Sequence, residues 1–116
     1  MSAALLQAKL WYAQRISAMI LGICVAVHLI IIFYAIRGGL TAQEILGRTQ
    51  GSLTFALFYE IFVLACFVHA PIGIANILQE TFPKGRLAVP LCLVLAILIL
   101  LLGSTAVFGL FTGGAI

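Results

Sequence analysis

Three long apolar stretches separated by two short polar clusters dominate the chain. Residues 16–36 carry no formal charge, enough length to cross a hydrocarbon core of ~30 Å. Arg37-Gly38-Gly39 ends that run, and residues 41–52, with Glu44, Arg48 and several small or polar side chains, read as a loop containing one helical turn. A second apolar run from Leu53 to Gln79 is interrupted only by Glu60 and His69. Thr81-Phe82-Pro83-Lys84-Gly85-Arg86 breaks it with a turn, and from Leu87 onward the chain has no charge. Ahead of the first run, Leu5, Leu6, Leu10, Trp11 and Tyr12 beside Lys9 and Arg15 predict a short helix lying at a membrane surface.

The pattern predicts an all-α membrane protein with transmembrane helices over about residues 11–36, 53–79 and 87–110. They form one domain over residues 1–116, with no internal repeat. Composition strengthens this reading. Of 116 residues, 65% are hydrophobic and 8% charged, and the mean hydropathy is +1.30. No soluble domain of this size has an interior large enough to hide that much apolar side chain. Three helices with polar inward faces also need partners to cover them, which makes the chain part of a heteromeric helix bundle.

Charge then sets orientation. The net charge of +3 in a soluble chain would raise nucleic acid as a partner, but here the cations flank apolar runs and are topology signals. Lys9, Arg15, Lys84 and Arg86 fall on one side, Arg37 and Arg48 on the other, so the N-terminus is expected in the cytoplasm. The N-terminal stretch lacks the features of a cleaved signal or an Arg- and Ser-rich transit peptide, which favours a bacterial inner membrane protein. Cys24, Cys66 and Cys92 each sit inside an apolar run, with no metal spacing and no Cys-x-x-Cys-His, and are read as packing residues.

Candidate chemistry is sparse and therefore conspicuous. At 100° per residue, Phe62, Cys66, His69, Gly73, Asn76 and Glu80 share one helical face, on which Gly73 leaves room for a flat ligand and Pro71 is expected to bend the helix. His28 lies deep in the first run, on a face with Ser17, Leu21 and Cys24. Intramembrane histidines are rare and functional by default. Two of them point to haem or another metal, with interhelical hydrogen bonding as the alternative. Zinc lacks completing ligands at usual spacings, whereas haem needs one imidazole from each side of the iron. Counting along the helices, His69 is about 16 Å in from Glu80 and His28 about 24 Å in from Tyr12, which favours different irons, each completed by another chain.

Glu60, nine residues before His69, falls about 180° away and is expected outside its pocket, in a hydrogen bond to a neighbouring helix or in proton handling. Arg15 and Ser17 sit at the cytoplasmic boundary. There Arg15 either snorkels or meets an anionic propionate or a quinone carbonyl, with Ser17 donating a hydrogen bond. Aromatic residues near the interfaces, Trp11, Tyr12, Phe33, Tyr34 and Phe82, suit belt anchoring.

Gln14-Arg15-Ile16-Ser17 followed by His28, then His69-Ala70-Pro71-Ile72-Gly73, resembles the membrane-anchor cytochrome b subunits of succinate dehydrogenase and fumarate reductase, over about residues 11–110. The resemblance implies an anchor for a flavoprotein and an iron–sulfur subunit, relaying electrons to a membrane quinone. It implies b-type haem, one or two, shared with a second membrane-anchor subunit. His69 and His28 correspond to axial ligands of haem iron, and Arg15 to an arginine near quinone and propionates. Four positions depart from the family pattern: Gln14 for its histidine, Ala18 for its glycine, and Ala75-Asn76 for its Arg-His, with Asn76 or Glu80 the substitutes that can be named. Two rival readings stand beside it: a small proton-coupled transporter using Glu60, and a cofactor-free structural adaptor.

Overall fold

The computed structural model describes residues 2–114. Four helices follow one another: α1 (Ala3–Gly38), α2 (Ala42–Thr49), α3 (Leu53–Thr81) and α4 (Ala88–Thr112). Three of them, α1, α3 and α4, are long and apolar enough to cross a membrane. The expected all-α membrane architecture is thus present.

The helix ends follow from local chemistry. Ser2 accepts from the Leu5 amide at 3.1 Å to start α1, and Ser52 accepts from the Phe55 amide at 3.3 Å to start α3. Thr41 and Glu44 form a reciprocal capping box that starts α2. At the other ends, Gly39 turns the chain out of α1 at φ 108° while its amide donates to Ala35, and Gly113 closes α4 in the left-handed region.

Two segments differ from the sequence expectation. The surface helix anticipated before the first span does not exist as a separate element: α1 runs unbroken from Ala3 to Gly38, about 54 Å at 1.5 Å per residue. Between Ala3 and Leu21 there is no Gly or Pro to uncouple the two parts. The loop at 41–52 holds two turns of helix rather than one, helped by a capping box that satisfies two of the orphan donors at its start. Helix α3 continues through Pro71, which is buried.

Helix α3 is the middle element, with α1 and α4 packed along different sides of it. The molecule measures 50 × 27 × 26 Å. Its buried residues are mostly small ones, Ser17, Cys24, Thr49, Ala65 and Cys92 among them, while large apolar side chains such as Ile23, Ile30, Leu98 and Leu102 face outward. This is the inversion expected where the solvent is lipid and helices associate by close backbone approach. Helix α2 folds back onto the end of α4: the Gly51 amide donates to the Phe111 carbonyl at 2.8 Å, and the buried Thr49 hydroxyl, which donates to Ile45 of its own helix at 3.1 Å, lies 3.5 Å from the Leu110 carbonyl. The three cysteines are free, with Cys24 and Cys92 buried, as packing residues would be.

Candidate functional site

The α1/α3 seam collects the polar chemistry. His28 comes from α1 and Tyr59 from α3, with His28 Nδ1 3.2 Å from the Tyr59 hydroxyl. His69 comes from α3 and Ser17 from α1, with Nδ1 3.3 Å from Ser17 Oγ. These two pairs set an antiparallel register: moving from Ser17 to His28 on α1 is moving from His69 to Tyr59 on α3. The imidazoles therefore lie about 15 Å apart along the seam, ten or eleven residues at 1.5 Å each. That exceeds the separation counted from the helix ends, because the register and not the span boundary fixes relative depth. Two nitrogens on one iron must lie within about 4 Å, so one iron cannot hold both rings.

Each ring is positioned by its surroundings. His28 stands edge-on to Tyr59 and Phe62, at centroid distances of 5.7 Å and interplanar angles of 85° and 82°. Both rings are half-buried. In each, Nδ1 faces a hydroxyl of the opposite helix, and Nε2 has no hydrogen-bond partner among the described residues. A metal-bound imidazole commonly has this arrangement, one nitrogen tied and the other open. Among the described residues no three His, Cys, Asp or Glu side chains converge, so each ring offers a single nitrogen to a ligand completed from elsewhere.

Space adjoins the first ring. A cavity of about 650 Å³ between the end of α1, α2 and the start of α3 is lined by His28, Tyr59, Phe55, Ile45 and Arg48. Its size lies in the range of small-molecule sites. Arg48 donates to the Gly39 carbonyl at 2.7 Å and is the cation among the cavity's lining residues. Neither Tyr59 nor Arg48 stands out in the sequence as a site residue. A tyrosine within an apolar run carries no signal of its own until the register shows which histidine it meets.

The remaining sequence-predicted residues are placed as follows. Ser17 is buried in the seam. Gly73 faces α1, but the room above it is filled: a Cβ there would lie 3.0 Å from Gln14 Nε2. Gln14 Oε1 is buried with no hydrogen-bond partner among the described residues. Arg15 is not drawn into the seam. It is exposed and sits over the Trp11 ring, 5.2 Å from the centroid. Asn76 and Glu80, the named substitutes for the departed cation, are exposed.

Glu60 lies on the other side of α3, as its angular distance from His69 requires. Ser104 of α4 donates to its Oε1 at 2.8 Å. One turn along, Gly103 meets Val63, where an added Cβ would come within 2.6 Å of Val63 Cγ1.

The sequence model of one family, described as the succinate dehydrogenase/fumarate reductase transmembrane subunit, matches residues 1–105. No curated protein and no solved structure matches.

Proposed function

The chain belongs to the succinate dehydrogenase/fumarate reductase transmembrane subunit family, and from that premise we propose that it is the haem b-binding anchor of such a complex, relaying electrons between an iron–sulfur subunit and membrane quinone. Membership places it in a complex with other subunits. The finer assignments are ours: a flavoprotein and an iron–sulfur subunit on the cytoplasmic side, and a second membrane-anchor subunit within the bilayer. The membrane is the bacterial inner membrane, with the N-terminus in the cytoplasm and lipid around the exposed apolar faces.

One observation carries the reading. Two imidazoles occupy one interhelical seam at two depths, each with Nδ1 beside a hydroxyl and Nε2 open. His28 and His69 would each hold the iron of a separate haem through Nε2, and the partner anchor would complete each site. Haem supplies a one-electron redox centre in a region where the protein has none of its own. The chain's part is to orient the rings, exclude water with its apolar spans, and present Arg15 near the cytoplasmic boundary, where its exposed guanidinium is available to a propionate or a quinone oxygen. Oxidation of the organic acid falls to the soluble subunits. Family membership gives no support to a transporter, and Glu60, the transporter's proposed carboxylate, already has a partner in Ser104; a cofactor-free anchor is the outcome that haem content distinguishes.

Haem stoichiometry of the isolated complex tests the proposal. Two b-type haems per complex, reducible through the succinate or fumarate site, are expected. A complex isolated from haem-replete cells with no reducible b-type band would overturn it.

A further inference from the structure

Ser17 has a single proton to give, and its position tells where that proton goes. The residue is 5% exposed. Its hydroxyl donates to the Gln14 carbonyl of the preceding turn at 3.1 Å, a common outlet for serine within a helix. The same oxygen lies 3.3 Å from His69 Nδ1. With its own hydrogen engaged, Ser17 Oγ faces the imidazole with lone pairs only, so the hydrogen in that contact comes from the ring.

We propose that Ser17 is the positioning residue of His69: by accepting from Nδ1–H it holds the ring in the Nδ1-protonated tautomer and leaves the Nε2 lone pair free for iron. The role rests on the haem reading above. It differs from the one expected from the sequence, in which Ser17 donates to a quinone. A buried hydroxyl whose proton is already bound to Gln14 has none to offer a quinone oxygen. An imidazole that donates from Nδ1 is also more basic at Nε2, which favours the ferric state of the iron it holds. His28 provides an internal contrast, because the Tyr59 hydroxyl has no second partner among the described residues and is free to donate or accept.

The test is a spectroelectrochemical titration of the whole complex carrying wild type, S17A or S17T, with haem content measured alongside and H69A used to identify the relevant band. S17A is expected to retain haem and to shift the ferric/ferrous equilibrium of the His69-dependent haem about three- to tenfold toward ferrous. Tenfold corresponds to ~59 mV upward for a one-electron couple. The haem that survives in H69A should not move, and S17T, which keeps the acceptor oxygen, should titrate close to wild type. Loss of the His69-dependent haem in S17A with retention in S17T would support the same role through occupancy.

Full haem content with an unmoved potential in S17A would overturn the proposal, as would equal disturbance by S17A and S17T. A changed quinone KM in S17A without a change in potential would return Ser17 to the quinone. If the wild-type complex has no haem that H69A removes, the haem reading at His69 itself fails, which the wild-type and H69A samples reveal before any Ser17 variant is read.

Discussion

Helix α3 has two working faces, and they are built on different principles. Toward α4 it packs a valine onto a glycine, and its carboxylate accepts from a serine. Toward α1 it presents Tyr59 and His69 against His28 and Ser17, and each imidazole keeps one nitrogen open. The α4 face packs closely at Gly103, where a small residue lets the backbones approach, and Glu60 is tied to Ser104 through one oxygen beside a cavity of about 310 Å³. The α1 face is also lined by small buried residues, Cys24 and Ala65, yet it stops short of satisfying its polar groups. Leaving a nitrogen open within a membrane is unfavourable unless something occupies it. On the proposed reading, function belongs to the α1 face and the α4 face serves stability.

The sharpest way to break this contrast is to remove the imidazoles. His69→Ala and His28→Ala are each expected to abolish one haem of the complex and spare the other, since about 15 Å of seam separates them. Pyridine haemochrome content per complex checks this. Loss of both haems from either single substitution, with the subunits still assembled, would contradict two independent sites.

Next in size is Gly103→Leu on the opposite face. A side chain here must displace Val63, and overpacking of this kind typically costs about 1–3 kcal/mol. The apparent melting temperature of the complex should fall, while the haem bands that survive keep their potentials. A shifted haem potential without loss of stability would mean that the two faces are not separate.

How far this division was legible in the sequence depends on whether one helix or two are needed to see it. The opposition of Glu60 and His69 follows from nine steps of 100° along a single helix, and the structure places them on opposite neighbours. The three spans were equally legible, because uncharged length alone decides what crosses a bilayer. The partners of His28 and His69 were not. Whether Tyr59 or some other residue of α3 meets His28 is a question of interhelical register, which the periodicity of neither helix contains. The same gap hid Gln14 filling the space above Gly73. By contrast, the longer α2 was available: Thr41-x-x-Glu44 is a capping-box pattern, set within a segment whose polar composition reads as loop.

A smaller effect is expected from Glu60, whose bond from Ser104 is the polar tie of the α4 face. Glu60→Gln retains a carbonyl oxygen to accept from Ser104 and should cost little. Glu60→Leu removes the acceptor and should cost about 1 kcal/mol, the usual net worth of one hydrogen bond. Thermal stability of the two variants checks the order. If Glu60→Gln instead changes the pH profile of quinone turnover while stability holds, the carboxylate handles protons and the α4 face is not purely structural.

The smallest effect belongs to α2, which is tied to the end of α1 through Arg48 and to the end of α4 through Gly51. Glu44 is held below the ordinary carboxylate value of 4.5 by the Thr41 backbone N–H first, then by the Thr41 hydroxyl, with a lesser contribution from Arg48. A carboxyl whose folded-state pKa is depressed contributes stability that is fully present above its ordinary value and is lost as the pH falls through its lower folded value. Amide protection of Ile45 and Leu46, corrected for intrinsic exchange, should therefore be steady near neutrality and decline only below about pH 4.5. Glu44→Gln should flatten that decline, because no charge remains to be titrated. Thr41→Ala removes the cap from the other side and should reduce protection at every pH, by the equivalent of about 1 kcal/mol. A wild-type profile that stays flat into acid would show that the capping box does not hold α2 in solution, and that its contact with the end of α4 does so instead.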